Sequence, residues 1–293
     1  MLKEKTARRF GTHDGSFHAD EVTACALLLV WDLIDRQQIV RTRDEEILAT
    51  CDFVCDVGGI YDPAQRRFDH HQVGYQGDFS SAGMILAYLL DIGKIDQETY
   101  TFLNHSLVKG VDAHDNGRSI LQEGECSFSQ VIANFVPPIY DAPALVQDRA
   151  FEEALDFTVG HVRRLLARFK YIQSCKDKVA KSMQKKEKAL FFDEAMPWMD
   201  AFFAMGGELH PALFVIMPSG QHWKLRGIPP TLKERMQVRM PHPKEWAGLL
   251  DEELQLITGI PGAIFCHKGG FISVWQTRED ACHALDIITK RRL

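Results

Sequence analysis

The sequence predicts an α/β fold in two lobes. The N-terminal lobe is a mainly parallel sheet with helices on both faces, and a helical connector leads to a smaller α+β C-terminal lobe. Three observations carry this. Strand-like runs ending in glycine or acid alternate with helical stretches over the first 140 residues. Residues 142–190 are helical in pattern and show no strand signal. A second alternation, built on shorter strands, begins at 212. The expected domains are therefore 1–140, a connector at 141–205, and 206–293.

Taken in order, an entering strand is expected at 6–11. A helix follows over 19–36, with Val22, Leu29, Leu33 and Ile34 at helical spacing. "QIVRTR" (38–43) and "CDFVCDVGG" (51–59) read as strands, the second stopped by two glycines. "SSAGMILAYLLDIG" (80–93) is a helix with a serine cap and a glycine stop. A further helix over 99–117 breaks at Asn116-Gly117. In the second lobe, strands are expected at 212–219, 221–229, 262–270 and 271–277, with helices near 252–258 and over 279–290.

Hydrophobic residues at 45% and charged residues at 25% describe an ordinary globular chain, which excludes a low-complexity or disordered one. A net charge of −6 excludes general polyanion binding, so any nucleic-acid contact needs a local basic patch. No apolar run reaches the ~20 residues of a membrane helix. The first residues, MLKEKTARRF, lack the apolar stretch of a signal peptide. Seven scattered cysteines, an odd number without a C-x-x-C pair, read as reduced thiols of a cytoplasmic protein.

Four clusters hold titratable chemistry. "GTHDGSFHADE" (11–21) places His13, His18 and Asp20 in a strand-to-helix turn that Gly11 and Gly15 permit. Such turns, at the carboxyl edge of a parallel sheet, bind ligands. Imidazole mixed with carboxylate suits a borderline transition metal. The other reading of this stretch is a helix N-cap at Asp20 or Ser16 with solvated histidines. Asp56 ends an apolar strand before glycines, as a metal ligand or as a turn residue. In "RRFDHHQ" (66–72), Asp69 and His71 share one side of an extended segment and His70 takes the other. In "VDAHDNG" (111–117), Asp112 and Asp115 lie near one face of a helix end, and either completes a site. Together these side chains suffice for two divalent ions ~3.5–4 Å apart, with Asp56 as the simplest bridge. That arrangement activates a water and offsets charge in an in-line phosphoryl transfer.

The same residues resemble a known family. "DHH" at 69–71, an upstream His/Asp motif, a strand-end Asp and a downstream Asp resemble the DHH phosphoesterase superfamily. "GTHDGSFHADE", "IVRTRD", "CDVGGIYDP", "RFDHHQ", "SSAG", "VDAHDNG", "RMPHPKEWAGL", "GIPGAIFCHKGGFI" and "TRE" resemble, more closely, the melanocyte-proliferating-gene family of metal-dependent hydrolases, from about residue 11 to the C-terminus.

The resemblance implies a DHH-type two-lobed fold with a two-manganese centre in the first lobe and a substrate-binding second lobe. It implies 3′-to-5′ RNA exonuclease activity. It makes His13, His18 and Asp20 ligands, Asp56 the bridge, His70 a ligand, and Asp112 or Asp115 the last ligand. His71 would face the substrate, and Asp69 would orient a neighbouring histidine. One departure stands out. The superfamily writes its first motif His-x-x-x-Asp-x-Asp, whereas His18 replaces the middle acid here and the spacing from His13 is one longer. A neutral imidazole lowers the site's negative charge and disfavours magnesium relative to manganese or a later metal.

In the second lobe, "HKGGF" resembles the glycine-rich substrate loop of DHH proteins, making His267, Lys268, Gly269 and Gly270 phosphate contacts; a plain hairpin turn explains the same letters. Arg226 and Arg239 are further candidate phosphate clamps. The lysine run 176–188 reads as a solvated helix face before it reads as an RNA track. The expected function is a manganese-dependent phosphodiesterase acting on RNA or short oligonucleotides, with a homodimer as an expected assembly. The alternatives are a small-substrate phosphohydrolase, of pyrophosphatase or cyclic-dinucleotide type, and a non-catalytic metal- or nucleotide-binding protein.

Overall fold

The computed structural model describes residues 8–120, 122–139, 141–235 and 237–290. The chain divides into two compact units, Met1–Phe169 and Lys170–Leu293. Among the described residues, no helix is long and apolar enough to cross a membrane.

In the first unit the elements run β1 (Phe10–Thr12), α1 (Ala19–Val30), β2 (Ile39–Arg41), α2 (Glu45–Ala49), β3 (Phe53–Cys55), β4 (Tyr61–Asp62), β5 (Arg67–Phe68), α3 (Ser81–Asp91) and α4 (Gln97–Leu103). A π-helical turn, Asn104–Val108, leads into α5 (Lys109–Asp115), then α6 (Phe128–Ala133) and α7 (Ala144–Met183). The sheet order is β2-β1-β3-β5-β4. All neighbours are parallel except the edge strand β4, which runs antiparallel to β5. β4 and β5 are two residues each, too short to show the alternation by which a strand is recognised in sequence.

After its acidic first turn α1 (ADEVTACALLLV) is mostly apolar on every face, and every residue from Ala19 to Leu28 is buried. A helix of this kind belongs inside a core. It packs against α3 in a cluster with Phe10, Phe17, Phe53, Phe68 and Phe151. Full burial of each such ring contributes about 1.5–3 kcal/mol. This places the polar first turn of α1 at the edge of an apolar mass.

The second unit begins within the 40-residue α7. It continues with β6 (Ala189–Phe191), α8 (Met199–Ala204), β7 (Phe214–Ser219), β8 (His222–Gly227), α9 (Asp251–Thr258), β9 (Ala263–Cys266), β10 (Ile272–Trp275) and α10 (Arg278–Lys290). Its sheet order is β6-β7-β8-β10-β9. Only β6–β7 is parallel. β6 falls at the end of the stretch expected to be purely helical. Three residues, Ala-Leu-Phe, carry no period of their own and become a strand by pairing with Phe214–Ile216. Trp246 and Trp275 fill one core cluster, and Trp198 and Phe202 fill another.

Candidate metal centre

The parallel strands of the first unit release their chains at one sheet edge. β1 leads directly into His13, β3 into Asp56, and β5 into Asp69, His70 and His71. The carboxyl edge of such a sheet is where the backbone turns outward and side chains converge. Asp56 sits in the left-handed region at φ 60, before Gly58 and Gly59. Aspartate tolerates that conformation better than most residues, and an outlier of this kind marks a constrained position. α1 adds His18 at its N-cap with Asp20 and Glu21 in its first turn, where the helix dipole favours negative charge. Glu21 Oε1 also accepts from His18 N at 2.8 Å. Asp115 is the last residue of α5.

These side chains meet. His13 Nε2 lies 3.3 Å from both Glu21 Oε1 and Asp56 Oδ2. His70 Nε2 lies 3.2 Å from Asp56 Oδ1, 3.1 Å from Asp115 Oδ2 and 4.0 Å from Asp20 Oδ2. Three overlapping donor groups result: His13, His18, Glu21 and Asp56; Asp56, His70 and His71; and His18, Asp20 and Asp115. Asp56 belongs to two of them, and so does His18. Glu21 is fully buried and was not among the ligands expected from sequence.

Burial makes this arrangement costly without a cation. Asp20 and Glu21 are 0% exposed, and Asp56 is 4%. Both Asp20 oxygens and Glu21 Oε2 lack a hydrogen-bond partner among the described residues, and Asp56 Oδ1 and His70 Nε2, though 3.2 Å apart, make an ion pair without a well-directed hydrogen bond. A buried carboxylate oxygen left unpaired costs far more than one in water. The titration behaviour reflects that pressure. Burial, followed by the charge of Asp56, drives Asp20 well above the usual carboxylate range. Burial alone would depress His13, yet Asp56 and Glu21 lift its pKa to about 10. His70 is likewise lifted to about 10 against its own burial, by Asp115 and Asp56. Asp56 is held below the usual range by His13 and His70 despite burial. Burial thus disfavours the charge on Asp20, while the neighbouring carboxylates favour the charged form of the two imidazoles. Divalent cations replace protons in such sites. Carboxylate oxygens mixed with imidazole nitrogens fit manganese or a similar divalent ion.

The chain matches, over residues 9–286, the model of a family described as "Uncharacterised protein family (UPF0160)" and labelled as an MYG1 exonuclease. The chain belongs to this family. Among its relatives is the MYG1 protein of Chlamydia muridarum, 52% identical over 285 residues, covering 97% of this chain and 98% of that one. The human MYG1 exonuclease is 34% identical over 318 residues, covering 93% of this chain and 83% of that one. Among solved structures, the Mn2+ complex of Thermus thermophilus RecJ aligns with a TM-score of 0.30 and 12% identity. That alignment covers 97% of this chain but only 52% of the RecJ chain, so this chain spans about half the RecJ length.

All the donor residues lie within the span that matches the family. Two expectations are corrected by the surroundings of the side chains concerned. Of the pair Asp112 and Asp115, only Asp115 joins the converging donors. Asp112 Oδ1 instead accepts from Ser80 N (3.0 Å), Ser80 Oγ (2.7 Å) and Gly83 N (3.0 Å), capping α3 from outside. Arg239 is no phosphate clamp. Its guanidinium donates to the backbone carbonyls of Gly207, Glu208, His210, Ala212 and Pro229, which uses up its donors.

Asp69 is buried and its Oδ1 accepts from both His71 N (3.0 Å) and His71 Nδ1 (2.8 Å). This fixes the orientation of a ring whose side chain is 64% exposed. His71 and His18 line two cavities at the centre, of about 710 Å³ and about 440 Å³. In the second unit, His267, Lys268, Gly269 and Gly270 form the turn of the β9–β10 hairpin. Gly270 takes φ 62, and its carbonyl accepts from His242 N at 2.8 Å. Arg226 lies half-buried on β8.

Proposed function

We propose that this protein is a divalent-metal-dependent phosphodiesterase, a 3′-to-5′ exonuclease of RNA or short oligonucleotides that uses two manganese ions. The observation that carries the reading is the buried donor set sharing Asp56, with its unpartnered oxygens. His13, His18, Glu21 and Asp56 would hold one ion. Asp56, His70, Asp20 and Asp115 would hold the other. When bound, the ions supply Lewis-acid stabilisation of the phosphoryl oxygens and a nucleophile at neutral pH. The exonuclease activity is proposed from the names of relatives, and the preference for RNA and the 3′-to-5′ direction from the motif resemblance alone.

The chain's own groups do the rest. Asp69 Oδ1 accepts a hydrogen bond from His71 Nδ1–H, which commits that imidazole to one tautomer and leaves Nε2 to exchange a proton with the substrate. His71 is thereby suited to protonate or position the leaving oxygen. The His267–Gly270 turn and Arg226 serve as phosphate contacts in the second unit. Free buried cysteines, among them Cys25, Cys55 and Cys266, fit a reducing cytoplasm.

The test combines metal analysis of the purified protein with hydrolysis of RNA labelled at its 5′ end. The expected result is two manganese per chain and a ladder shortening from the 3′ end. Release of phosphate from pyrophosphate with RNA untouched would establish the small-substrate phosphohydrolase instead. Bound metal without any turnover would establish a binding protein.

A further inference from the structure

Three parallel strands deliver donor groups to the site edge, and the fourth delivers a cation. β2 pairs with β1 so that Thr12 lies opposite Arg41, and Thr42 N extends the pairing by donating to Thr12 O at 2.7 Å. Arg43 therefore leaves the sheet at the same edge as His13. It lines the larger cavity together with His13, His18, Asp56 and His71, and no other lysine or arginine lines that cavity among the described residues.

Two arginines on this strand have contrasting surroundings. Arg41 is structural: its guanidinium lies between the rings of Phe17 (5.7 Å) and Phe151 (4.9 Å). It also pairs with Asp148 at 2.7 Å and donates to the carbonyl of Gly15, which fixes the turn carrying His13 and His18. Arg43 is held only by Nε, 3.3 Å from Asp14 Oδ1, with side chains 65% and 55% exposed. An exposed pair of this kind is weak. The terminal nitrogens of Arg43 make no hydrogen bond or ion pair among the described residues, so the planar fork remains open to an anion.

We infer that Arg43 is a specificity-determining residue, binding a phosphate of the substrate next to the one being cleaved. This rests on the phosphodiesterase reading above and deepens it. β2 stands two strand positions from β3, which leads into Asp56, so the two strand ends lie roughly 10 Å apart. That distance suits a neighbouring phosphate rather than the one under attack. The preferred substrate is thus an ester with at least two phosphate groups, and a diester with a single phosphate does not engage Arg43.

The experiment compares a short oligonucleotide with bis(p-nitrophenyl) phosphate, which carries one phosphate, on the manganese-loaded enzyme. Arg43→Ala is expected to raise KM for the oligonucleotide by roughly 10- to 100-fold, the span of one charge-assisted contact, with kcat nearly unchanged. Turnover of bis(p-nitrophenyl) phosphate and manganese content stay at wild-type levels. The slope of log kcat/KM against log salt flattens by about 0.7, as expected for one lost phosphate contact on a single strand. Arg43→Lys restores the salt slope and part of the KM. An unchanged oligonucleotide KM overturns the inference. A parallel fall on both substrates with loss of manganese also overturns it, because Arg43 would then merely support the fold. A wild-type enzyme that hydrolyses neither substrate refutes the phosphodiesterase reading itself, and the role of Arg43 falls with it.

Discussion

Replacing Gly83 with alanine tests the link between α3 and α5, because two opposing effects predict opposite signs. Alanine is favoured over glycine in a helix by up to about 1 kcal/mol, less in the first turn where Gly83 stands, so an unconstrained site would be neutral or stabilised. Here a Cβ would stand 2.3 Å from Asp112 Oδ2, 2.8 Å from Oδ1 and 2.8 Å from Phe79 Cδ1. The carboxylate must move, and it leaves three donors in a buried place. Each hydrogen bond to a charged group contributes about 1.5–3 kcal/mol, and loss of two outweighs the propensity gain. The expected net effect is destabilisation by about 2–5 kcal/mol. Equilibrium urea unfolding, followed by circular dichroism and fluorescence, measures it. Gly110→Ala, where nothing lies within 4 Å, is the control and should be neutral or stabilising. In an Asp112→Ala background, Gly83→Ala should cost much less, with only the Phe79 contact left to relieve, and the difference isolates the coupling to Asp112. Stabilisation by Gly83→Ala alone, or a cost under about 1 kcal/mol, would refute the reasoning.

Glu21→Gln removes a buried donor oxygen and should weaken manganese binding by at least ~10-fold in calorimetric titration. His70→Ala should abolish both metal loading and hydrolysis, read by elemental analysis and an RNA assay on the purified variant. His71→Ala should keep its metal but lower kcat by roughly 10²–10⁴-fold, the usual range for a lost general acid. Buried His242 has its pKa lowered to about 4, chiefly by burial, and its ring nitrogens contact Gly270 O and Ser273 Oγ at 2.8 and 2.9 Å. It is neutral in the folded protein, whereas the unfolded chain takes up a proton below about pH 6.5. Its contribution is therefore full above pH 6.5 and is lost as pH falls toward 4, by about 3 kcal/mol. The pH dependence of unfolding in wild type minus that in His242→Gln should show this loss, and a flat difference would contradict it.

Three of the converging donor side chains were legible in the sequence because they sit where strands end. His13, Asp56 and His70 each follow a short apolar run, and that placement needs only a parallel sheet to bring them together. Glu21 escaped notice because an acid three residues after a helix cap has an ordinary capping role, and it does bond His18 N. Asp112 and Asp115 share a helix face, so spacing alone cannot separate them. The distinction arises from the N-terminus of α3, which takes Asp112 for itself. Arg239 reads in sequence like any surface arginine; its five carbonyl partners come from segments up to 32 residues away. The strands β4, β5 and β6 are too short for any pattern and exist only through their neighbours.

The left-handed backbone at Asp56 limits what can stand there. A β-branched or bulky side chain would strain the turn after β3 regardless of charge, so Asp56→Val would disturb the loop as well as remove a donor. Asparagine adopts the same backbone readily, and the change from Asp56 to Asn therefore subtracts charge while sparing the chain's path. The polypeptide conformation thus favours Asp, Asn or Gly at this position before any chemistry is selected.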